Sequence, residues 1–303
     1  MNKAIISGAT GMVGRAVTKF LVKNGVEVLC LGRKHLTATD LYNIFGVNLS
    51  YVSLDMKNIE KLPEIIDKLN WRVGNNCNFF NFAWSGSLRL TDGSFEEQLN
   101  NVTFAANAVK VSKKIGCVKF INSGTLEETY IEQSLKNKSI LYASGQENYA
   151  LAKLAARDMC NIVAYLEKID YVHTRLSAPL NPDLSTGTYI AKTLNDISKG
   201  RPYEQPKNNQ LFDIIFLDDV AEAYFLIGQH GKNKANYFIG TSKPTNLKDY
   251  FSEFDRVVRG SKVVHKQQAE NLYQLFDNQE LCKDTGFIPS TNRYNLLAVS
   301  KYK

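Results

Sequence analysis

A tyrosine and a lysine stand four residues apart near the middle of the chain, in the segment Tyr149-Ala150-Leu151-Ala152-Lys153. The apolar periodicity around them predicts a helix over residues 147–167, which would place both side chains on one helix face. A free phenol has a pKa of about 10, and a neighbouring ammonium would stabilise the phenolate and lower that value. The spacing therefore predicts a phenol that can donate a proton, although exposed helices also carry such pairs.

Hydroxyl groups end the strand that is predicted before this helix, in the segment Asn122-Ser123-Gly124-Thr125. A hydroxyl at this position could hydrogen-bond a substrate carbonyl and the phenol together, and it would stabilise charge that develops on the carbonyl oxygen. We therefore expect Tyr149, Lys153 and one of these hydroxyls to form a proton-transfer site.

A glycine-rich turn follows the first predicted strand and opens the first predicted helix. Its sequence is Gly8-Ala9-Thr10-Gly11-Met12-Val13-Gly14. Gly8 permits a tight turn, Gly11 lets the backbone approach a pyrophosphate, and Gly14 allows the helix to pack closely on the sheet. Unpaired backbone N–H groups and the positive end of the helix dipole would face the anion. The turn predicts dinucleotide binding; the alternative is a tight turn without a ligand.

The end of the second predicted strand bears on the choice of cofactor. An Asp or Glu at this place would accept hydrogen bonds from the ribose hydroxyls of NAD, whereas this chain has Gly32-Arg33-Lys34. Arg33 could hold a 2′-phosphate through two parallel hydrogen bonds, and Lys34 would add positive charge. We therefore expect NADP(H) as the preferred cofactor, with NAD(H) as a possible one; the alternative is a pair of solvated surface cations.

Strand and helix patterns alternate through the first half of the chain. Strands are predicted over residues 3–7, 26–31, 49–54, 77–82, 117–122 and 171–175, and helices over residues 12–24, 59–69, 95–115 and 147–167. Strands that alternate with helices of this length indicate a parallel sheet covered on both faces. The predicted fold class is therefore α/β, with a Rossmann doubly wound parallel sheet.

The second half of the chain is less regular. Loops rich in Pro, Asn and Gly, over residues 179–187 and 200–210, separate shorter elements, as in segments that carry a binding site. The predicted elements are a strand over 212–217, a helix over 220–228, a strand over 237–239 and terminal helices.

The length of 303 residues allows one large domain or two unequal ones. We expect a Rossmann NADP-binding domain over residues 1–175, which residues near 212–230 rejoin. A smaller C-terminal substrate-binding lobe would occupy mainly residues 176–303.

The composition is that of a folded globular protein, with 44% apolar and 22% charged residues. The net charge is +7, but the lysines are dispersed, so we expect no nucleic-acid partner. No secretory leader and no eighteen-residue apolar run occur, so we expect a cytoplasmic protein without a membrane partner. The five cysteines and four histidines are scattered, which predicts packing roles and no metal site.

These motifs resemble the extended short-chain dehydrogenase/reductase family, in particular its nucleotide-sugar epimerases, dehydratases and 4-ketoreductases. The resemblance covers nearly the whole chain. Gly8 to Gly14 is similar to the family's glycine motif, Asp55-Met56 to its adenine-contacting acid, and Asn81-Phe82-Ala83-Trp84 to its fourth-strand segment. Asn100-Asn101-Val102 resembles the family's helix asparagine region, and Arg175 to Pro179 resembles the strand that leads to the nicotinamide.

The resemblance implies roles for individual residues. It identifies Tyr149 and Lys153 as the acid/base pair and Thr125 as the catalytic hydroxyl, with Ser123 as the second candidate. Trp84 could line a sugar pocket or could equally be a packing residue. The expected substrate contacts are Trp84, Ser85, Ser87, Thr125 and Tyr149. The expected cofactor contacts are Gly8, Thr10, Gly11, Met12, Val13, Gly14, Arg33, Lys34, Asp55, Met56, Phe82, Ala83, Trp84, Asn101, Tyr149, Lys153 and Pro179.

The chain departs from the family pattern around the expected substrate diphosphate. Phe212 stands where an Arg usually precedes the acid of the late strand, so the diphosphate would need other cations. The candidates are Arg201, Arg256 and Arg259. Ala178 replaces a frequent asparagine.

A further departure follows Thr125, where the chain has Leu126-Glu127-Glu128 instead of an aromatic-glycine pair. Glu127 and Glu128 could act as a second acid/base, but we interpret them as residues of a solvated loop. His173 lies in a predicted apolar strand, and we interpret it as a hydrogen-bonded core residue.

The function that the resemblance implies is the NADPH-dependent reduction of a keto group on a nucleotide-activated deoxysugar, in surface polysaccharide biosynthesis. One alternative is an epimerase or dehydratase that keeps its NAD(P) tightly bound. Another is a dinucleotide-binding module without chemistry. The resemblance also implies a homodimer, formed through the helices predicted over residues 95–115 and 147–167.

Overall fold

Seven parallel strands form the central sheet of the protein. The computed structural model describes residues 1–69, 71–86, 94–137, 145–206, 211–260 and 275–301. The strands in chain order are β1 (Lys3–Ser7), β2 (Glu27–Gly32), β3 (Ser50–Ser53), β4 (Cys77–Asn81), β5 (Lys119–Thr125), β6 (Asp170–Leu176), β7 (Ala178–Leu180), β8 (Leu211–Phe212), β9 (Ile214–Phe216), β10 (Asn236–Ile239) and β11 (Thr245–Asn246). The central sheet has the spatial order β10-β6-β5-β4-β1-β2-β3. The predicted α/β class with a parallel sheet is therefore confirmed.

Both faces of this sheet are covered, which explains its continuous apolar strands. Ile5 and Ile6 are neighbours on β1 and point to opposite faces, yet both are fully buried. The strand order reverses beside β1, which lies between β4 and β2. Open α/β sheets bind ligands at such a reversal, outside the carboxyl ends of the strands.

Helices cover both faces of the sheet and also form much of the C-terminal part of the chain. They are α1 (Met12–Lys23), α2 (Ala38–Phe45), α3 (Leu62–Lys68), α4 (Phe95–Lys114), α5 (Glu127–Lys136), α6 (Gly145–Glu167), α7 (Tyr189–Ser198), α8 (Leu217–His230), α9 (Leu247–Val258), α10 (Gln279–Thr285) and α11 (Arg293–Leu297). On one face α1 packs against α8, and on the other face α4 packs against α6. These layers fix the loops at the carboxyl edge of the sheet.

The predicted strands and helices of the first half all occur, with small shifts at their ends. The helix predicted over residues 59–69 is a 3₁₀ helix, Met56–Lys61, followed by α3. Helix α2 has no counterpart among the predicted elements. It begins at a capping box, in which Thr37 and Asp40 bond to each other's backbone.

The prediction of a single strand over residues 212–217 is wrong. β8 pairs with β11, whereas β9 pairs with β7, and Leu217 already belongs to α8. Asp213 separates the two strands because its carboxylate turns into the core, where it accepts hydrogen bonds from the Thr241 hydroxyl and the Ser242 backbone N–H. Burial raises the pKa of Asp213 to about 6.

The C-terminal part of the chain has an apolar cluster of its own. Residues of α7 and α9, among them Leu194, Phe251 and Phe254, are fully buried there. Strand β10, in contrast, lies in the central sheet beside β6. The division into a dinucleotide domain and a substrate lobe stays a prediction.

Four of the five cysteines are buried, as packing residues are: Cys30, Cys77, Cys117 and Cys160. Within the described ranges, no group of three or more His, Cys, Asp and Glu side chains could hold a metal ion. No helix in the same ranges combines the length and the apolar character that spanning a bilayer requires.

Candidate active site

A cleft of about 590 Å³ runs along the carboxyl ends of the central strands. Most of the residues that the sequence predicts for the site line it: Gly8, Thr10, Gly11, Met12, Val13, Gly14, Arg33, Asp55, Met56, Phe82, Ala83, Trp84, Ser85, Asn101, Thr125, Tyr149, Lys153 and Pro179. Lys34 is exposed beside Arg33 and is not part of this lining. Ser87 lies outside the described residues.

The glycine turn leaves no room for side chains at two of its positions. Gly8 has a φ of +68°, and a Cβ atom there would lie 2.7 Å from the backbone nitrogen of Ala83. A Cβ atom on Gly14 would lie 2.3 Å from the Gly8 carbonyl oxygen. The turn is therefore packed against itself and against the segment after β4.

The amino end of α1 opens into the cleft. Gly11 is the N-cap, no side chain caps the helix, and no acidic residue lies in its first turn. The first backbone N–H groups of a helix have no partner within the helix, so those of α1 can bind an anion. This cradle fits the pyrophosphate of a dinucleotide.

Strand β3 holds the segment that follows β2. The Ser53 hydroxyl donates to the carbonyl oxygen of Arg33 over 3.2 Å, and the Tyr51 hydroxyl donates to that of Lys34 over 2.8 Å. Asp55 lies at the same end of the cleft, where its carboxylate accepts the backbone N–H of Lys57 over 3.0 Å. This end can hold the adenosine half of a cofactor.

Helix α4 positions the segment that follows β4. The amide of Asn101 bonds to the backbone of Ser85 twice, accepting its N–H over 3.0 Å and donating to its carbonyl over 2.9 Å. The Trp84 indole N–H donates to Gln98 over 2.8 Å. Asn101 therefore holds the wall of the cleft, and Trp84 is fixed in that wall.

Trp84, Tyr149 and Lys153 meet in the cleft. The ring centroids of Trp84 and Tyr149 are 6.2 Å apart at an interplanar angle of 89°. The Lys153 Nζ lies 3.9 Å from the Trp84 ring centroid, a distance typical of a cation–π contact. The same Nζ donates to the backbone carbonyl of Ser123 over 2.8 Å. The structure thus brings the predicted tyrosine and lysine together.

Burial has the largest effect on the pKa values of Tyr149 and Lys153. It lowers the pKa of Lys153 to about 8, while the negative charge of Glu128 acts in the opposite direction. It raises the pKa of Tyr149, Glu128 raises it further, and a hydrogen bond from Thr125 lowers it. The expected lowering of the Tyr149 pKa by the ammonium is wrong here, because burial and the charge of Glu128 raise this pKa.

The geometry favours Thr125 over Ser123 as the reactive hydroxyl. Ser123 also lines the cleft, but its hydroxyl accepts a hydrogen bond of 2.9 Å from Tyr224, which also bonds to Thr174, so this hydroxyl already has a buried partner. The Thr125 side chain lies near enough to Tyr149 to lower the pKa of its phenol. Thr125 is therefore placed to act with the phenol on one ligand atom.

Glu128 is a site residue that the sequence interpretation missed. It lies in α5 and is fully buried, so the solvated-loop interpretation is wrong for this residue. One carboxylate oxygen accepts the backbone N–H of Thr125, and the other contacts His173 Nε2, both over 2.8 Å. The spacing Thr125-x-x-Glu128 is that of a capping box, which would have predicted a helix start. His173 is a hydrogen-bonded core residue, as expected.

The three candidate arginines for the substrate diphosphate lie outside the lining of the cleft. Arg201 is paired with Asp196 at 3.6 Å, and Arg259 with Asp255 at 2.9 Å. Arg256 is exposed. The far wall of the cleft is formed instead by residues before α7: Thr186, Gly187 and Thr188.

Known proteins are similar to this chain in sequence or in fold. CDP-abequose synthase of Salmonella typhimurium is 23% identical over 299 residues, covering 94% of this chain and 93% of that protein. UDP-glucose 4-epimerase of Thermotoga maritima, solved with UDP-glucose, superposes with a TM-score of 0.74 at 18% identity and covers 99% of this chain and 98% of that one. The Bordetella bronchiseptica enzyme WbmG, solved with NAD and UDP, superposes with a TM-score of 0.72 at 16% identity. The match covers 99% of this chain and 94% of that one.

A family model decides the wider assignment. Residues 4–240 match the model of the NAD dependent epimerase/dehydratase family. This range contains the glycine turn, Thr125, Tyr149 and Lys153. The chain therefore belongs to the NAD dependent epimerase/dehydratase family and is an oxidoreductase-type enzyme of the extended short-chain dehydrogenase/reductase group.

Proposed function

We propose that this enzyme uses NADPH to reduce a keto group on a nucleotide-activated deoxysugar, in the synthesis of a surface polysaccharide. The observation that carries the proposal is the convergence of Thr125, Tyr149 and Lys153 in the cleft that begins at the glycine turn. Similarity to CDP-abequose synthase supports a nucleotide-linked sugar as the substrate.

The chemistry follows from the ionisation of the site. Bound NADPH would supply the hydride. Because burial raises the pKa of Tyr149, its phenol stays protonated at neutral pH and can act as the acid that protonates the carbonyl oxygen. Thr125 can hydrogen-bond the same oxygen, and Lys153 can bind the cofactor ribose and stabilise the phenolate that remains.

An epimerase or dehydratase is the second candidate, and the similarity to UDP-glucose 4-epimerase favours it. Such an enzyme oxidises and re-reduces its substrate, so it regenerates its cofactor and keeps it bound. The glycine cradle and the Tyr149–Lys153 pair would serve this reaction equally well. The two candidates differ in net cofactor consumption.

The discriminating experiment begins with the cofactor content of the purified protein. Denaturation followed by chromatography should release little NAD, and a panel of nucleotide keto-sugars should contain one that oxidises added NADPH stoichiometrically. Product stereochemistry, read by NMR, would identify the reduced carbon. Stoichiometric retained NAD, with sugar conversion and no net NADPH oxidation, would contradict the reductase proposal in favour of epimerisation.

We propose that Arg33 selects NADPH by binding its 2′-phosphate. Arg33→Ser is expected to raise the KM for NADPH about tenfold or more, because a paired guanidinium contributes charge-assisted hydrogen bonds. The KM for NADH should change little. Arg15→Ser is the matched control, since Arg15 is exposed on α1 and is not part of the cleft lining. Equal KM values of the unaltered enzyme for both cofactors would contradict the preference.

We propose that the protein is a homodimer through α4 and α6. These helices pack against each other and expose large apolar side chains, including Phe95 and Leu99 on α4 and Met159, Ile162 and Leu166 on α6. Leu166 is 68% exposed and Ile162 is 57% exposed, and they lie one turn apart. A second copy of the same helix pair would cover these side chains.

Ile162→Glu is expected to convert this dimer to a monomer, because the change places a charge in an apolar interface. Sedimentation velocity gives the measurement. Ile288→Glu is the control, because Ile288 is 80% exposed but lies outside both helices. A monomeric unaltered protein at micromolar concentration would contradict the proposal.

A further inference from the structure

A row of polar side chains crosses the central sheet beneath the cleft. The Ser7 hydroxyl donates to Asn81 over 2.6 Å, and the Asn81 amide donates to the Asn122 carbonyl oxygen over 2.9 Å. The Asn122 amide faces His173 Nδ1 at 3.4 Å. Ser7, Asn81, Asn122 and His173 are all buried. The row runs from the glycine turn on β1 to the strand behind Thr125.

The direction of these hydrogen bonds places the proton of His173. Since Asn122 uses its oxygen toward Asn81, its NH₂ group faces His173 Nδ1, which must accept. The Tyr171 hydroxyl, 3.2 Å from the same nitrogen, can donate to it as well. The neutral ring then carries its hydrogen on Nε2 and donates it to Glu128. His173 is therefore in the tautomer that donates a hydrogen bond from Nε2 to Glu128.

The space for this carboxylate depends on Gly124. A Cβ atom at Gly124 would lie 2.2 Å from a Glu128 carboxylate oxygen and 2.3 Å from His173 Nε2. It would also lie 2.6 Å from the Thr174 carbonyl oxygen. The glycine before Thr125 thus makes room for the Glu128–His173 pair.

A neutral side chain at this place would satisfy only one of the two donors. A glutamine at position 128 could accept the Thr125 N–H, but its NH₂ group would then face the Nε2–H of His173, and both of these groups donate. The carboxylate accepts from both donors, but a buried charge is expensive unless it is compensated. The compensating groups are positive: Glu128 interacts favourably with Lys153 and with Arg175. The charge of Glu128 is therefore matched to a cation of the active site.

We propose that Glu128, held by His173 in the space that Gly124 leaves, is a positioning residue that fixes the backbone of Thr125 and supplies a buried negative charge for the Lys153 ammonium. The inference deepens the proposed function, since it assumes that Thr125 and Lys153 act there. Glu128 does not line the cleft, so it acts through these two residues and through Tyr149, whose pKa its charge also raises. The titratable groups that act on Glu128 or Lys153 are Tyr149, Cys160, Tyr171, His173, Arg175 and Tyr224.

The sign of the electrostatic effect can be tested without substrate. Glu128→Gln keeps the size of the side chain and an acceptor for the Thr125 N–H, but it removes the charge and the acceptor for the His173 Nε2–H. Since that charge raises the pKa of Lys153, which burial lowers to about 8, its removal should lower this pKa further. We expect the midpoint of the Lys153 titration to fall by about one pH unit, as for the loss of an opposite charge nearby.

The measurement is competitive labelling of the ligand-free protein with a small amine-directed reagent across pH, with the Lys153 peptide quantified by mass spectrometry. Glu132→Gln is the matched control, because Glu132 lies one turn later on α5 and pairs with Arg157. Its removal should leave the Lys153 midpoint unchanged. A folded Glu128→Gln protein with an unchanged midpoint would overturn the proposal, whether or not a keto-sugar is reduced.

The positioning role is tested by turnover. His173→Gln can still donate a hydrogen bond to Glu128 and is expected to retain kcat within about threefold, whereas His173→Leu should lose about tenfold or more. Both proteins should bind NADPH with unchanged affinity. Equal kcat values for the two variants would overturn the positioning role. A shifted Lys153 midpoint together with full turnover in Tyr149→Phe would instead contradict the proposed reaction and leave the Glu128 coupling standing.

Discussion

Tyr149→Phe is expected to lower kcat by about a hundredfold to ten-thousandfold, the range that a positioned acid contributes. The phenol lies in the cleft near Thr125, which lowers the pKa of Tyr149, and its ring contacts Trp84 next to Lys153. Phenylalanine keeps the ring and its contact with Trp84 but cannot release a proton. NADPH affinity should therefore remain close to that of the unaltered enzyme.

The measurement is steady-state NADPH oxidation at saturating keto-sugar, with a fluorescence titration for NADPH binding. Tyr130→Phe is the control, because the Tyr130 hydroxyl donates to the Leu211 carbonyl over 3.0 Å outside the cleft lining. That variant should retain kcat. Normal turnover in Tyr149→Phe would mean that another group protonates the carbonyl oxygen, and the assignment of the acid would be wrong.

Gly14→Ala is expected to destabilise the fold by about 3 kcal/mol, at the upper end of the usual cost of overpacking, and to abolish NADPH binding. The added Cβ would lie 2.3 Å from the Gly8 carbonyl oxygen and 2.9 Å from its carbon. Both atoms belong to the backbone, so neither can rotate away. The glycine turn and the amino end of α1 would have to move apart. This movement would disrupt the anion cradle that they form together.

Two other glycines separate the effects on stability and on binding. At Gly25, φ is +77° and no atom lies within 4 Å of an added Cβ, so alanine should cost only about 1 kcal/mol, the left-handed backbone penalty. At Gly11, an added Cβ would lie 3.2 Å from the Gly8 oxygen, so Gly11→Ala should fold nearly as well yet bind NADPH weakly. Urea unfolding and NADPH titration give the two readouts. A Gly14→Ala protein with normal stability would contradict this account.

Local sequence patterns predict the parallel sheet and the pairing of Tyr149 with Lys153 in the cleft. Adjacent residues such as Ile5 and Ile6 are both apolar because both faces of the sheet are covered, and this signal is present in the sequence itself. The spacing of Tyr149 and Lys153 likewise fixes their common helix face. A short stretch of sequence contains all the information that these predictions need.

Other features depend on residues that are distant in the chain. The break at Asp213 arises because Thr241 and Ser242 bond to its carboxylate from another loop. The raised pKa of Tyr149 depends on burial by several elements, which no local pattern reports. Glu128 is the instructive case, because its capping-box spacing predicts a helix start, whereas its partner His173 lies 45 residues away on β6.

The polar row beneath the cleft also bears on how the chain folds. Ser7 is the sheet partner of Asn81, Asn81 of Asn122, and Asn122 of His173, so every pair depends on one alignment of its strands. Apolar strands that slide past each other still find apolar neighbours, but a buried amide without a partner costs about 1–3 kcal/mol. A collapsed chain with slipped strands therefore loses several of these hydrogen bonds at once. The row thus favours the correctly aligned sheet over the misaligned ones.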